Sequence, residues 1–370
     1  MSRKLNYFCL FANCIPVKGH RRSLIMDLQT NRYLYTPNQL NYILEVCNIK
    51  PYSRILEKYT EYKTMIDEYF RFLLEKKLGH FISFKEFSMF PKIGFEYNYP
   101  GTFSNCIVEV STESNPCLIN NVIRELSLEL NVLNYLIHIH SYNSLNDLLA
   151  IINVFKTLRY NSLEVVFNLL KKEDYRKLDE LTDSGIISKL SVHNSKNNIQ
   201  IHGTNYYESE FTGSSCAKIH ISRMIVNMEY YAESISYNTC LHRKISIDTH
   251  GNIKNCPSST KSFGNIKDTT IEQALNHPDF KKHWNITKDQ IDVCKDCEFR
   301  HMCTDCRVFI KDPENIFSQP AKCTYNPYIA KWQGEDGYVP VEECGTYTRE
   351  TGFLVNHKRV EELNKQLWGE

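Results

Sequence analysis

The chain has 370 residues, enough for two or three domains, and 24% of them are charged with a net charge of +1. That balance excludes a global field for nucleic acid or an anionic membrane, and 23 Tyr and 19 Phe against 14 Gly mark a folded chain. No run approaches the ~20 apolar residues of a membrane helix. The first residues, MSRKLNYFCLFANCIPVKGH, lack a long apolar region with a small-residue cleavage site, so the expected location is cytoplasmic.

From the N-terminus, SLIMDLQTNRYLYT (23–36) predicts two short strands around a turn at Gln29-Thr30-Asn31. Pro37 suits the first turn of a helix in PNQLNYILEVC, where Leu40, Ile43, Leu44 and Cys47 recur at helical spacing. Helical patterns follow near 51–59 and 61–76, the second with Ile66, Tyr69, Phe70 and Leu73 on one broad face. Gly79 is expected to end it, and HFISFKEF (80–87) has the period of a strand. Residues 1–95 therefore read as a winged-helix-like unit. Its basic run, Lys18, His20, Arg21 and Arg22, reads as a solvated charged turn, with attraction of an acidic peptide as the alternative.

Residues 96–215 alternate strand and helix. CIVEVS (106–111), NYLIHIHS (134–141), LEVVFNL (163–169) and ISKLSVHN (187–194) predict strands, separated by helical patterns at 119–130, 144–158 and 173–184. This is the α/β class, with βαβ units on a parallel sheet. A closed eight-unit barrel takes about 250 residues, so about four units make a partial (β/α) barrel or an open sheet. His138 and His140 share one face of their strand. No third ligand is evident beside them, and they read as structural. Residues 216–330 are loop-rich, and 331–370 form a tail ending in a helix-like VNHKRVEELNKQLW.

Seven of the 14 cysteines fall between 240 and 323: Cys240, Cys256, Cys294, Cys297, Cys303, Cys306 and Cys323. A cytosolic setting keeps thiols reduced, so such clustering reads as metal ligation before disulfides. Gly251 sits in a hairpin-type turn after RKISID (243–248) that would bring Cys240 near Cys256. Lys244 and Asp248 on this strand read as ordinary surface residues. Three readings compete: buried thiols without a ligand, one structural zinc on Cys294, Cys297, Cys303 and Cys306, or iron–sulfur clusters held by soft thiolates. Zinc would leave Cys240, Cys256 and Cys323 unused, so iron–sulfur is favoured.

The order Cys-x10-Gly-x4-Cys, then Cys-x2-Cys-x5-Cys, a further Cys and a last Cys resembles the SPASM domain of peptide-modifying radical S-adenosylmethionine enzymes. The family usually has three residues before its sixth cysteine, where this chain has only Thr304-Asp305. The resemblance implies two [4Fe-4S] clusters. One would be held by Cys294, Cys297, Cys303 and Cys323. The other would be held by Cys240, Cys256 and Cys306, with Cys216 of GSSCAKIH as the candidate fourth thiol. The radical-generating Cys-x3-Cys-x2-Cys triad is absent from the sequence. Only Cys117 lies in STESNPC (111–117), after the first predicted strand of the α/β unit, and Cys9 and Cys14 have no third partner nearby. No S-adenosylmethionine is expected, and no catalytic residue is assigned.

Together, FANCIPVKGHRRSLIMDLQ, CLHRKISIDTHGNIKNCPS, FGNIKDTTIEQAL, CKDCEFRHMCTDCRVF and KCTYNPYIAKW resemble the SPASM peptide maturase of grasp-with-spasm, graspetide-type systems. That resemblance implies a ribosomal precursor peptide and an ATP-grasp ligase as partners, with the N-terminal unit recognising the precursor's leader. The implied role is a non-radical adaptor. A redox enzyme acting through an auxiliary cluster, and a zinc-binding interaction protein, remain the alternatives.

Overall fold

The computed structural model describes residues 6–47, 49–87, 89–168, 174–201, 203–212 and 215–369. Leu169 at the predicted end of a strand, Glu173 at the predicted start of a helix, and residues 1–5 of the N-terminal unit lie outside them. Among the described residues, no helix is long and apolar enough to cross a membrane.

The N-terminal unit begins with β1 (Asn6–Leu10) and a three-stranded antiparallel sheet of β2 (Cys14–Lys18), β3 (Ser23–Asp27) and β4 (Arg32–Thr36). Helices α1 (Asn38–Cys47), α2 (Tyr52–Lys58) and α3 (Lys63–Glu75) follow, and β5 (Gly79–Ser83) returns antiparallel to β1. The β3–β4 turn is where the sequence predicts it. Asp27 accepts from the amides of Gln29 and Thr30 at 3.3 Å and from the Thr30 hydroxyl at 2.6 Å, and Asn31 takes a positive φ of 56°.

Two expectations change here. Gly79 does not end the helix. Lys77, at φ 56°, makes that turn, and Gly79 starts a strand so close to β1 that a Cβ would strike the Cys9 carbonyl. The predicted strand 80–87 stops at Ser83 and gives way to one helical turn, α4 (Phe84–Phe87). The Ser83 Oγ accepts from the Glu86 amide at 3.4 Å, while Glu86 accepts from the Ser83 amide at 2.8 Å. This capping box overrides the alternating pattern.

The α/β unit comprises β6 (Asn105–Val110), α5 (Pro116–Leu128), β7 (Asn134–Ile139), α6 (Leu145–Asn153), β8 (Ser162–Phe167), α7 (Tyr175–Asp183), β9 (Lys189–Val192), β10 (Ile199–Ile201) and β11 (Thr204–Tyr206). α5 starts at an Asn115 cap with Pro116 in its first turn, as the fixed φ of proline favours. Strands β6 to β9 pair in parallel and in chain order. Their alternate residues Val108, Ile137, Val165 and Leu190 pack with Ile123 and Leu126 of α5 and Ile151 of α6 in one core. The opposite set, including Glu109 and His138, lies outside that core.

Beyond α8 (Met228–Ser234), β12 (Lys244–Ile247) pairs in parallel with β6, and β13 (Ile253–Lys254) forms the far edge. The sheet is therefore eight-stranded and open, running from β10 to β13. The first cysteine hairpin is thus built directly onto the α/β sheet. The remainder comprises α9 (Ile271–Leu275), the short pair β14 (Tyr325–Asn326) and β15 (Lys331–Trp332), the hairpin β16 (Gly345–Thr348) and β17 (Gly352–Val355), and α10 (His357–Trp368).

All five residues of β3 are buried. Ile25 faces the helices of its own unit, whereas Leu24 and Met26 face Phe299, Met302, Cys303 and Tyr325. Burial on both faces explains the apolar run Leu24-Ile25-Met26, and it joins the N-terminal sheet to the cysteine-bearing loops.

Candidate metal centre

The β12–β13 hairpin carries Cys240 just before it and Cys256 just after it. Its turn is fixed by Asp248, which accepts from the amides of His250 at 3.0 Å and Asn252 at 2.9 Å and pairs with Lys254 at 2.8 Å. Gly251 takes φ 84°, a backbone state that glycine adopts without penalty. Asp248 is buried and caps the turn rather than lying on the surface. Upstream, the buried Asn238 side chain accepts from the Cys240 and Leu241 amides at 3.0 and 2.8 Å, locking the Cys240 loop.

The second element is a tight 3₁₀ turn, Cys294–Asp296, entered through Val293 at φ 67°, with the Cys297 amide donating to the Cys294 carbonyl at 3.0 Å. Cys294, Cys297, Cys303 and Cys323 line one cavity, walled by Ile219, Phe299, Tyr325 and Trp332. Lys288, only 5% exposed, donates its Nζ to the Cys303 sulfur at 3.2 Å. Burial opposes its charge, yet Cys303, Cys294, Asp305 and Cys323 hold its pKa well above that of an ordinary lysine.

The electrostatics sort the eight predicted residues into two groups. Burial pushes the Cys294 thiol up to about 12, opposed by Lys288 and reinforced by Cys323. Burial also raises Cys297 and Cys303, and Cys323 acts on both. In the other group, burial pushes Cys256 up to about 12, with Cys240 and Cys216 adding to it. Cys240 is raised by burial, opposed by Lys244 and reinforced by Cys306. Cys306 is raised by burial and feels Cys216, and Cys216 is raised by burial and feels Cys240. Lys244 is half-buried and held up by Cys240, Cys256 and Cys216, so it is not an ordinary surface residue.

Between the groups lies a fully buried ion pair, Asp305 with Arg307 at 2.7 Å. Asp305 also accepts from the Asn238 side chain at 2.7 Å. Its charge acts on Cys294 and Cys303 on one side and on Cys240 and Cys306 on the other. Sequence reasoning missed Lys288, Asp305 and Arg307. A charged residue that ends up buried among thiols leaves no periodic signal.

Residues 240–298 match the SPASM family model, an iron–sulfur cluster-binding domain. A search of curated proteins finds no match to the chain. The SPASM match spans Cys240, Gly251, Cys256, Cys294 and Cys297 and stops short of Cys303, Cys306 and Cys323. Soft thiol donors in two groups, each with a lysine to offset anionic charge, fit iron–sulfur clusters. The spacing fits less well with one zinc ion. Tetrahedral Zn–S bonds of about 2.3 Å set sulfurs about 3.8 Å apart. Among the described residues, the only His, Cys, Asp or Glu ligand atoms gathered three together within 4.8 Å belong to Glu109, His138 and His140, not to cysteines.

The basic run is only partly solvated: Lys18 is exposed, whereas His20, Arg21 and Arg22 are half-buried. Arg22 pairs at 2.7 Å with Glu298, which is fully buried in the SPASM segment, and its guanidinium lies 3.7 Å from the Tyr35 ring. The His20 amide donates to the Asp296 carbonyl at 2.7 Å, and Arg300 donates to the Lys18 carbonyl at 2.6 Å. The β2–β3 turn thus docks on the loop between Cys294 and Cys303. Gly19 permits the approach, since a Cβ there would lie 2.8 Å from the Glu298 amide nitrogen. Gly19→Ala is therefore expected to destabilise the chain by about 1–3 kcal/mol, the usual cost of overpacking, as read from urea unfolding.

Proposed function

We propose that the chain is a peptide-maturation component that loads two [4Fe-4S] clusters and binds the leader of a ribosomal precursor peptide beside an ATP-grasp ligase. Its role in this reading is a non-radical adaptor. The match of residues 240–298 to the iron–sulfur SPASM model carries the proposal, with Cys216 as the candidate fourth thiol of the first cluster. A fourth thiol completes the ligand set of the first cluster and leaves no open iron for substrate. The clusters would then supply structure or redox response, with Lys288 and Lys244 balancing their charge. The winged-helix-like reading of residues 1–95 and the view of residues 96–215 as a reduced barrel belong to the same proposal.

Support for peptide binding comes from a groove between β1, β2, α1, Phe87 and residues 89–95, with about 1440 Å³ of empty space including its open mouth. Phe11, Ile15, Leu44, Phe90 and Phe95 line it, with Glu45 and Lys92 as its charged residues. Among the described strands β2 pairs only with β3, and alternate residues turn their backbone groups to its other edge, where Pro16 offers an added strand a carbonyl acceptor but no N–H. Phe11 and Phe90 are 36% and 47% exposed, so truncating both should leave the fold intact. The double variant Phe11→Ser, Phe90→Ser is expected to weaken binding of a labelled leader peptide at least about tenfold in fluorescence anisotropy. Equal binding by the variant and the parent chain would remove the leader-recognition role from this groove.

A further inference from the structure

Glu109, His138 and His140 are used by none of the roles above. In the β6–β7 register Glu109 lies directly opposite His138, and His140 follows the last residue of β7. All three sit at the carboxyl ends of parallel strands, the edge where α/β sheets bind ligands. They lie on the side of the sheet away from the helix-packed core.

Their geometry is that of ligands around an ion rather than of a closed hydrogen-bond network. Glu109 Oε1 is 3.6 Å from His138 Nδ1 and 3.3 Å from His140 Nε2. Metal–ligand bonds of 2.0–2.1 Å in a tetrahedral array put donor atoms about 3.3 Å apart. Good N–H···O bonds are shorter, at about 2.9 Å. His140 Nε2 is buried and makes no hydrogen bond, despite its proximity to Glu109.

Asn168, just past β8, sets the outer ring nitrogens. Its amide approaches His138 Nε2 at 3.5 Å through Oδ1 and His140 Nδ1 at 3.4 Å through Nδ2. An amide offers one acceptor side and one donor side. Whichever way it is turned, one neutral histidine directs an N–H toward Glu109 and the other directs a lone pair at it. A lone pair facing a carboxylate is relieved by a metal ion between them or by a second proton on that ring. Phe211 meets the His138 ring edge-on at 4.5 Å and lies tilted against the His193 ring at 5.2 Å.

We infer that Glu109, His138 and His140 form a mononuclear site for a divalent transition metal such as Zn²⁺ or Fe²⁺, oriented by Asn168 and separate from the cysteine groups. Two histidines and one carboxylate leave coordination positions open, as catalytic sites of this composition do.

The test uses the full chain with its iron–sulfur sites loaded anaerobically, dialysed against Zn²⁺ and analysed for zinc, iron and sulfide. The parent chain is expected to retain one zinc per chain beyond its iron and to melt at a higher temperature when zinc is present. Glu109→Gln, nearly isosteric, and His140→Gln, at a side chain 29% exposed, are each expected to weaken zinc binding at least about a hundredfold with iron and sulfide unchanged. Asn168→Ala, which removes only the orienting contact, should weaken it by about 10–100-fold. Two results overturn the assignment: no zinc retained by the parent chain, or equal retention by the parent chain and His140→Gln. Either would leave these residues a metal-free hydrogen-bonded cluster.

Discussion

Replacing Cys303 by Ser is expected to remove about half of the iron and sulfide bound by the chain, because one of two four-thiol groups loses a ligand. Cys303 shares its cavity with Cys294, Cys297 and Cys323 and accepts the hydrogen bond of the buried Lys288. The substitution also replaces a thiolate beside a buried ammonium with a neutral hydroxyl, and the loaded chain should lose about 3–5 kcal/mol of stability. Iron analysis with urea unfolding reads both effects. Cys216→Ser is the matched control, since its loss should fall on the other cluster and leave Lys288 paired. Full retention of iron by Cys303→Ser would rule out the assigned ligand group.

The second large effect is expected at the ion pair between the two groups. Asp305→Ala leaves the Arg307 guanidinium, with no solvent exposure, facing no carboxylate, and should cost about 3–5 kcal/mol. The double variant Asp305→Leu, Arg307→Met removes both charges and should recover much of that loss, because desolvation of the pair offsets its attraction. Urea unfolding of the cluster-free chains separates this structural contribution from cluster loading. A single variant as stable as the parent would show that the pair does not anchor the loops.

What could be read from the sequence was local. Cys294 and Cys297 are two residues apart in one tight turn, and the Cys240–Cys256 hairpin is announced by Gly251, so the thiol groups were visible as spacing. The strands at 106–111 and 134–141 were visible because their alternate residues build one buried core. What was missed depends on distant pairing. Glu109 is the one charged residue in CIVEV, yet only the register of β6 against β7 brings it to His138. Arg22 looked solvated because its partner, Glu298, lies 276 residues away. β2 was hidden by Pro16, which an edge strand tolerates.

The proposed assignment is that the thiols carry iron–sulfur clusters rather than a single zinc ion. It is tested most directly by counting iron, acid-labile sulfide and zinc in anaerobically reconstituted full-length chain. Two loaded clusters predict about eight iron and eight sulfide ions per chain. Stoichiometric zinc on the cysteines with no sulfide would contradict the account.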